Sequence, residues 1–294
     1  MAKWFRGMIG GAFLAMFAAA VDADAAAPRV VASIKPIHAL VAGVMDGAGS
    51  PALLIQGQAS PHAYALRPSD AKLLADADAV FWIGPELETA LIKPLASLSG
   101  KAMVVALAHA EGVKALRGAD NASADGHVWL DVDNARAMVA AIAQTLAKVD
   151  PGNANRYGSN AASLDAQLSE LDTQLRAQLM PVAKQPFIVF HDAYRYFANR
   201  YGLNMLASVT INPEQPAGGR HVAELKALIA RQRTVCVFAE PQFQPKLMAT
   251  LQADAHVRTG VLDPEGSTLT PGSKLYTDVM HGLADNLVRC LTLP

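Results

Sequence analysis

Three of the eight histidines stand where a side chain can reach a ligand. His62 follows the strand-like run 52–55 and the turn cluster Gln56-Gly57-Gln58-Ala59, on a loop stiffened by Pro61 and Pro68. His127 follows a polar, small-residue stretch, 112–126. His191 directly terminates the apolar run 187–190. Neutral imidazole is a common metal ligand. Any one alone is more often a surface or satisfied histidine; three at such edges raise the metal reading together. The others read more plainly. His109 lies between a strand and a loop, His221 opens a helix, His256 lies on a turn and His281 within the last helix, all expected in solvated or capping roles. His38, early in the first helix and near a strand end, is the least certain of these. No P-loop, G-x-G-x-x-G, H-E-x-x-H or G-x-S-x-G is present.

The elements that must carry these residues alternate. Strands are expected at 30–34, 52–55, 79–83 and 103–106, with helices at 37–45, 71–77 (capped by Ser69) and 86–98, the last kinked near Pro94. The stretch 112–126 reads as an exposed loop, and a helix capped by Asp133 or Asn134 runs to Lys148. A long helical pattern follows over 154–179, with Leu164, Leu168, Leu171, Leu175 and Leu179 spaced by three and four. The pattern then repeats in kind: strands at 187–190, 206–209, 234–238 and 257–262, helices at 192–201 (closed by Gly202), 224–231, 244–253 and 276–291. Alternating strands and helices imply parallel pairing. The expected fold is α/β, with two lobes of mainly parallel four-stranded sheet joined by one long rigid helix. The divisions are 1–27 as a signal peptide, 28–150 as the N-terminal lobe, 151–181 as the linking helix and 182–294 as the C-terminal lobe.

Composition narrows the class. The formal charge of −1 comes without a basic run, so nucleic acid is not an expected partner. Lys3 and Arg6 precede an apolar stretch, 8–21, followed by two A-x-A sites ending at Ala25 and Ala27, as in a cleaved export signal. That stretch is short of the ~20 residues needed to span a bilayer, and Asp22 and Asp24 close it. The first cysteine is Cys236, so no lipid anchor is expected at the cleavage point, and the mature protein is expected free outside the cytoplasm. In an oxidising compartment a disulfide between Cys236 and Cys290 is reasonable; two buried free thiols are the alternative.

Five segments in order resemble the ZnuA-like group, the zinc-binding solute-binding proteins of metal ABC importers (cluster A-I): Ser60-Pro61-His62 with Arg67-Pro68-Ser69-Asp70, His127-Val128-Trp129-Leu130-Asp131, His191-Asp192-Ala193-Tyr194 with Tyr196-Phe197, Ala239-Glu240-Pro241-Gln242, and Leu262-Asp263-Pro264. The resemblance spans essentially the whole mature chain. It implies two Rossmann-like lobes on one backbone helix and His62, His127 and His191 as three metal ligands. Asp263 matches the position where an aspartate is the fourth ligand in some members and water serves in others. It implies a Cys236–Cys290 disulfide in the C-lobe. Manganese members put a carboxylate where His191 stands, so this histidine favours zinc. The stretch 112–126 departs from the long His-rich loop of many zinc members, being short and without histidine. The expectation is a monomeric periplasmic protein, not an enzyme, that captures Zn²⁺ and delivers it to an ABC permease with its cytoplasmic ATPase. Two rivals stand beside it: a zinc-dependent hydrolase with Glu240 or Asp263 as general base, and a metal-independent adhesin or structural protein.

Overall fold

The computed structural model describes residues 1, 27–118, 123–214, 218–243 and 257–292. Residues 2–26 of the expected signal segment and the helix expected at 244–253 lie outside the described residues. Each lobe is built on a four-stranded sheet in which every pairing is parallel. In the first, β1 (Val30–Ala32), β2 (Ala52–Leu53), β3 (Ala79–Trp82) and β4 (Met103–Ala106) lie in the order β2-β1-β3-β4. In the second, β5 (Phe187–His191), β6 (Met205–Thr210), β7 (Cys236–Ala239) and β8 (Arg258–Val261) lie in the order β6-β5-β7-β8. Both sheets therefore change direction of winding at their first strand, and the crevice for a ligand opens beyond the strand carboxyl ends there. β1 and β3 are buried along their whole length, as strands covered by helices on both faces must be.

The helices begin at different residues from those expected, for local reasons. α1 (Lys35–Val44) takes Pro36 into its first turn, where the missing N–H would have had no partner anyway. α2 (Pro68–Ala75) starts with proline and is capped without Ser69: the Asp70 carboxylate reaches back to accept the Arg67 backbone N–H at 2.8 Å. The segment expected as one kinked helix is a 3₁₀ turn, Thr89–Leu91, followed by α3 (Ile92–Leu98), with Pro94 inside the first turn and so no kink. α4 (Val132–Val149) is capped by Asp131, whose side chain accepts the Asp133 N–H, rather than by Asp133 or Asn134. In the C-lobe, α6 (Arg195–Tyr201) ends on Gly202 in the left-handed conformation as expected, and α7 (Gly219–Gln232) starts earlier than expected. α8 (Leu275–Leu291) closes the described chain.

α5 (Ala154–Leu179) is the linking helix. At 26 residues it is about 39 Å long. It buries Tyr157, Leu168, Leu171, Leu175 and Leu179 and packs against α1, α4 and α8, that is, against both lobes. One hydrophobic core runs from Val30 in β1 through Trp129 to Leu291 in α8; a smaller one, including Ile188, Val209, Leu225 and Ile229, sits under α7. The lobes thus share a core and do not merely face one another. Polar contacts stitch the same seam. The buried Lys35 ammonium donates to the carbonyls of Gly266, Ser267 and Leu269 at 3.2, 2.6 and 3.1 Å, and Trp129 Nε1 donates to Pro264 O at 2.9 Å. Cys236 in β7 is disulfide-bonded to Cys290 in α8, with Cα atoms 6.1 Å apart. Closing that 54-residue separation contributes about 4 kcal/mol in the loop-entropy account. Among the described residues no helix is long and apolar enough to cross a membrane.

Candidate metal centre

His62, His127 and His191 come together where the lobes meet. Their ligand atoms all lie within 4.8 Å of one another. The ring centroids are 5.3 Å apart for His62–His127, 5.0 Å for His62–His191 and 4.8 Å for His127–His191. Nitrogens at about 2.0–2.1 Å from a tetrahedral zinc stand roughly 3.4 Å apart, so a shift of little more than an ångström closes the set on an ion.

Each imidazole is presented by a different local device. His62 lies in a single 3₁₀ turn, Pro61–Ala63, started by Pro61 and by Ser60, whose hydroxyl accepts the His62 N–H at 3.3 Å. The turn is tied to its own lobe through Asp70. One carboxylate oxygen accepts the Tyr64 hydroxyl at 2.6 Å and the Arg67 N–H at 2.8 Å, while the Arg67 guanidinium grips both oxygens. The hydrogen bonds from that guanidinium hold the pKa of the Asp70 carboxyl down to about 2. His127 follows Gly126, where a side chain would collide with Leu87 at 2.8 Å, so the chain before the ligand needs glycine for close approach. His191 is the last residue of β5, at the carboxyl end of the strand next to the sheet's change of winding.

Hydrogen bonds decide which nitrogen each ring offers. Asp125 Oδ1 accepts the His127 backbone N–H at 3.0 Å and faces His127 Nδ1 at 2.7 Å. The Glu240 carboxylate faces His191 Nδ1 at 3.4 Å, a longer and weaker contact, and accepts the Tyr194 hydroxyl at 2.9 Å. These partners turn the Nε2 atoms of His127 and His191 toward the shared space. The Nε2 atoms of His62 and His191 are buried without a hydrogen-bond partner. Buried polar atoms are ordinarily paired, so two orphans aimed at a third imidazole mark a place for an ion. Burial, and then the neighbouring His127 and His191, push His62 down to about 2, which keeps its ring neutral and able to donate a lone pair.

Asp263 does not join the group. Its Oδ1 accepts from Gln242 Nε2 at 3.2 Å and the Glu265 N–H at 3.3 Å, and its Oδ2 from the Ser267 hydroxyl at 2.8 Å. The stretch 112–126 is less exposed than expected at its base: Arg117 bridges Ala124, and the Leu116 N–H donates to the Tyr196 hydroxyl at 2.8 Å across the seam. The other histidines have neighbours of their own, His109 at Glu86, His221 at the Ser208 carbonyl and His38 at the Pro51 carbonyl. His256 lies outside the described residues. The part played by Asp125 is not apparent from residue types; its signal in the chain is an acidic residue two positions before a candidate ligand, a spacing from which one carboxylate reaches both the backbone and the ring.

The family profile described as the periplasmic component A of the zinc-uptake complex matches residues 30–290. The high-affinity zinc uptake system protein ZnuA of Brucella suis biovar 1 is 37% identical, covering 90% of this chain and 91% of its own. That of Paracoccus denitrificans is 35% identical, over 94% and 96%. Among solved structures, the periplasmic zinc-binding protein TroA of Treponema pallidum superposes with a TM-score of 0.80 at 26% identity, over 90% of this chain and 99% of that one. A zinc-bound ZnuA deletion mutant gives 0.81 at 24% identity, over 91% and 99%, and shares the fold. With its profile matched nearly end to end and its three histidines gathered where two such lobes meet, this chain belongs to the ZnuA family of zinc-uptake components.

Proposed function

We propose that this protein binds Zn²⁺ with high affinity through His62, His127 and His191 and hands it to an ABC permease, whose cytoplasmic ATPase drives import. The observation that carries the reading is the trio of imidazoles with two buried, unpartnered Nε2 atoms. Three neutral nitrogens and one oxygen suit zinc, and the absence of a carboxylate among them weighs against the harder Mn²⁺. Solvent water is the fourth ligand in this reading, because both oxygens of Asp263 are already engaged. Asp263 then orders the loop beside the site. The protein works outside the cytoplasm, in the periplasm, as a monomer after removal of residues 1–27, with lobes at 28–150 and 182–294 joined by 151–181.

Carriage is favoured over hydrolysis by the same contacts. A zinc hydrolase needs a free general base beside the metal-bound water. Glu240 is held by Tyr194 and His191, and Asp263 by Gln242, Ser267 and Glu265. Calorimetric zinc titrations test the reading: His62→Ala, His127→Ala and His191→Ala each leave only two protein ligands and should each weaken binding by more than the about 10–100-fold that loss of an outer partner costs. Unchanged affinity in any one of them removes that residue from the site. Turnover of esters or peptides by the zinc-loaded protein would favour the hydrolase instead.

A further inference from the structure

The helix that follows His191 grips the chain on both sides of His127. Tyr196, in α6, is 1% exposed, and both hydrogen-bonding roles of its hydroxyl are filled from the other lobe. It donates to the Asp125 carbonyl at 2.8 Å and accepts the Leu116 N–H at 2.8 Å. Asp125 is the residue whose side chain holds the His127 ring. One turn further along α6, Arg200 places Nη1 at 2.8 Å from both Asp131 Oδ1 and Asp133 Oδ2, and Nε at 2.6 Å from Asp172 Oδ1 on α5. Asp131 caps α4 immediately after the turn, Val128–Leu130, that His127 precedes. The chain that carries His127 is thus clamped at residues 125 and 131 by a helix that starts at Arg195, after a single turn from His191. Among the described residues His62 has no such tie: its turn is held by Ser60, Tyr64, Arg67 and Asp70, all of its own lobe.

We propose that Tyr196 and Arg200 are positioning residues for the metal: they fix His127 against His191 across the seam, as a preformed pair to which His62 is the independent third ligand. This rests on the three-histidine reading. The physical reason is tolerance. A metal site accepts ligand distances within about 0.2 Å, whereas two imidazoles on separate lobes would otherwise drift with every lobe fluctuation. Fixing two of the three before zinc arrives leaves only one ligand to be ordered on binding. Tyr196 and Arg200 touch no ion; they act through Asp125 and Asp131.

The test is a double-mutant cycle on zinc affinity, read by titration against a competing chelator. Tyr196→Phe is made in the wild type, in His62→Ala and in His127→Ala. Removing a direct partner of a metal ligand weakens binding about 10–100-fold, and Tyr196 stands one step behind Asp125, so its loss should sit at the lower figure, about tenfold. We expect that factor in the wild type and again in His62→Ala, and a factor near one in His127→Ala, where there is no ring left to position. Equal factors in all three backgrounds, which general destabilisation would produce, overturn the proposal, as does no loss in the wild type. Arg200→Lys, which keeps the charge but not the forked geometry, is run through the same cycle and decides the matter if Tyr196→Phe does not yield folded protein. Wild-type affinity in His127→Ala itself would overturn the three-histidine reading, which the cycle thereby separates from a failure of the clamp alone.

Discussion

Asp125 offers the sharpest quantitative test of the centre. Its side chain is 4% exposed, and one oxygen serves the His127 ring at 2.7 Å and the His127 N–H at 3.0 Å. In the proposed site the carboxylate does two things for zinc. It holds the ring with Nε2 toward the shared space, and its charge makes that nitrogen a stronger donor. Asp125→Asn keeps an acceptor oxygen of the same shape but removes the charge; Asp125→Ala removes both. Outer partners of metal-bound histidines are worth about 10–100-fold in affinity, or roughly 1.4–2.7 kcal/mol. The asparagine variant should fall near the lower figure and the alanine variant near the upper one. Glu240→Gln serves as the internal comparison. Its contact with His191 is 3.4 Å, too long for a strong hydrogen bond, so its effect should be smaller than that of Asp125→Asn. Calorimetric competition against a chelator of known zinc affinity measures all three. Zinc binding by Asp125→Ala equal to that of the wild type would refute the reasoning, and Glu240→Gln weaker than Asp125→Asn would show that distance was the wrong guide.

Two further outcomes follow from the His62 turn. The folded protein takes up a proton on His62 only near pH 2, whereas the unfolded chain does so near 6.5. Between those values the unfolded state holds more protons, so the zinc-free protein loses stability as pH falls below about 6.5, by up to about 2 kcal/mol at pH 5 from this group. Denaturant titrations at pH 7 and pH 5 should show that fall shrinking in His62→Gln, and an identical fall in both proteins would count against a buried neutral ring. Asp70→Ala removes the acceptor of Tyr64 and Arg67 beneath the same turn and should destabilise by about 1–2 kcal/mol, with a loss of zinc affinity smaller than that of His62→Ala. A zinc affinity as low as that of His62→Ala would mean that the turn, not the ring alone, is lost.

Much of this protein was legible without coordinates. The long helix was expected over 154–179, with leucines at three- and four-residue spacing from Leu164 onward, and it runs over Ala154–Leu179. Short apolar runs between helical patterns marked the strands, because strands covered on both faces must be apolar throughout. His191 could be placed at a strand end because the run before it is apolar and it is not. Helix starts were less legible. At Lys35-Pro36 and at Pro68, proline was read as a break or as a residue before the helix, although a first turn accepts it without loss.

Residue order alone determined the alternation of elements, the linking helix and the three histidines worth bringing together, since those depend on local periodicity and on ligand chemistry. Tertiary structure alone decided the rest. Tyr196 meets the Asp125 carbonyl across 71 residues, Lys35 meets the Ser267 carbonyl across 232, and Asp263 spends its oxygens on Gln242 across 21 and on Glu265 and Ser267 nearby. A hydrogen bond is decided by tenths of an ångström between groups whose separation along the chain carries no trace of it. The candidate ligands could therefore be read from residue types, while the partners that aim them appeared only when the two lobes were packed into one core.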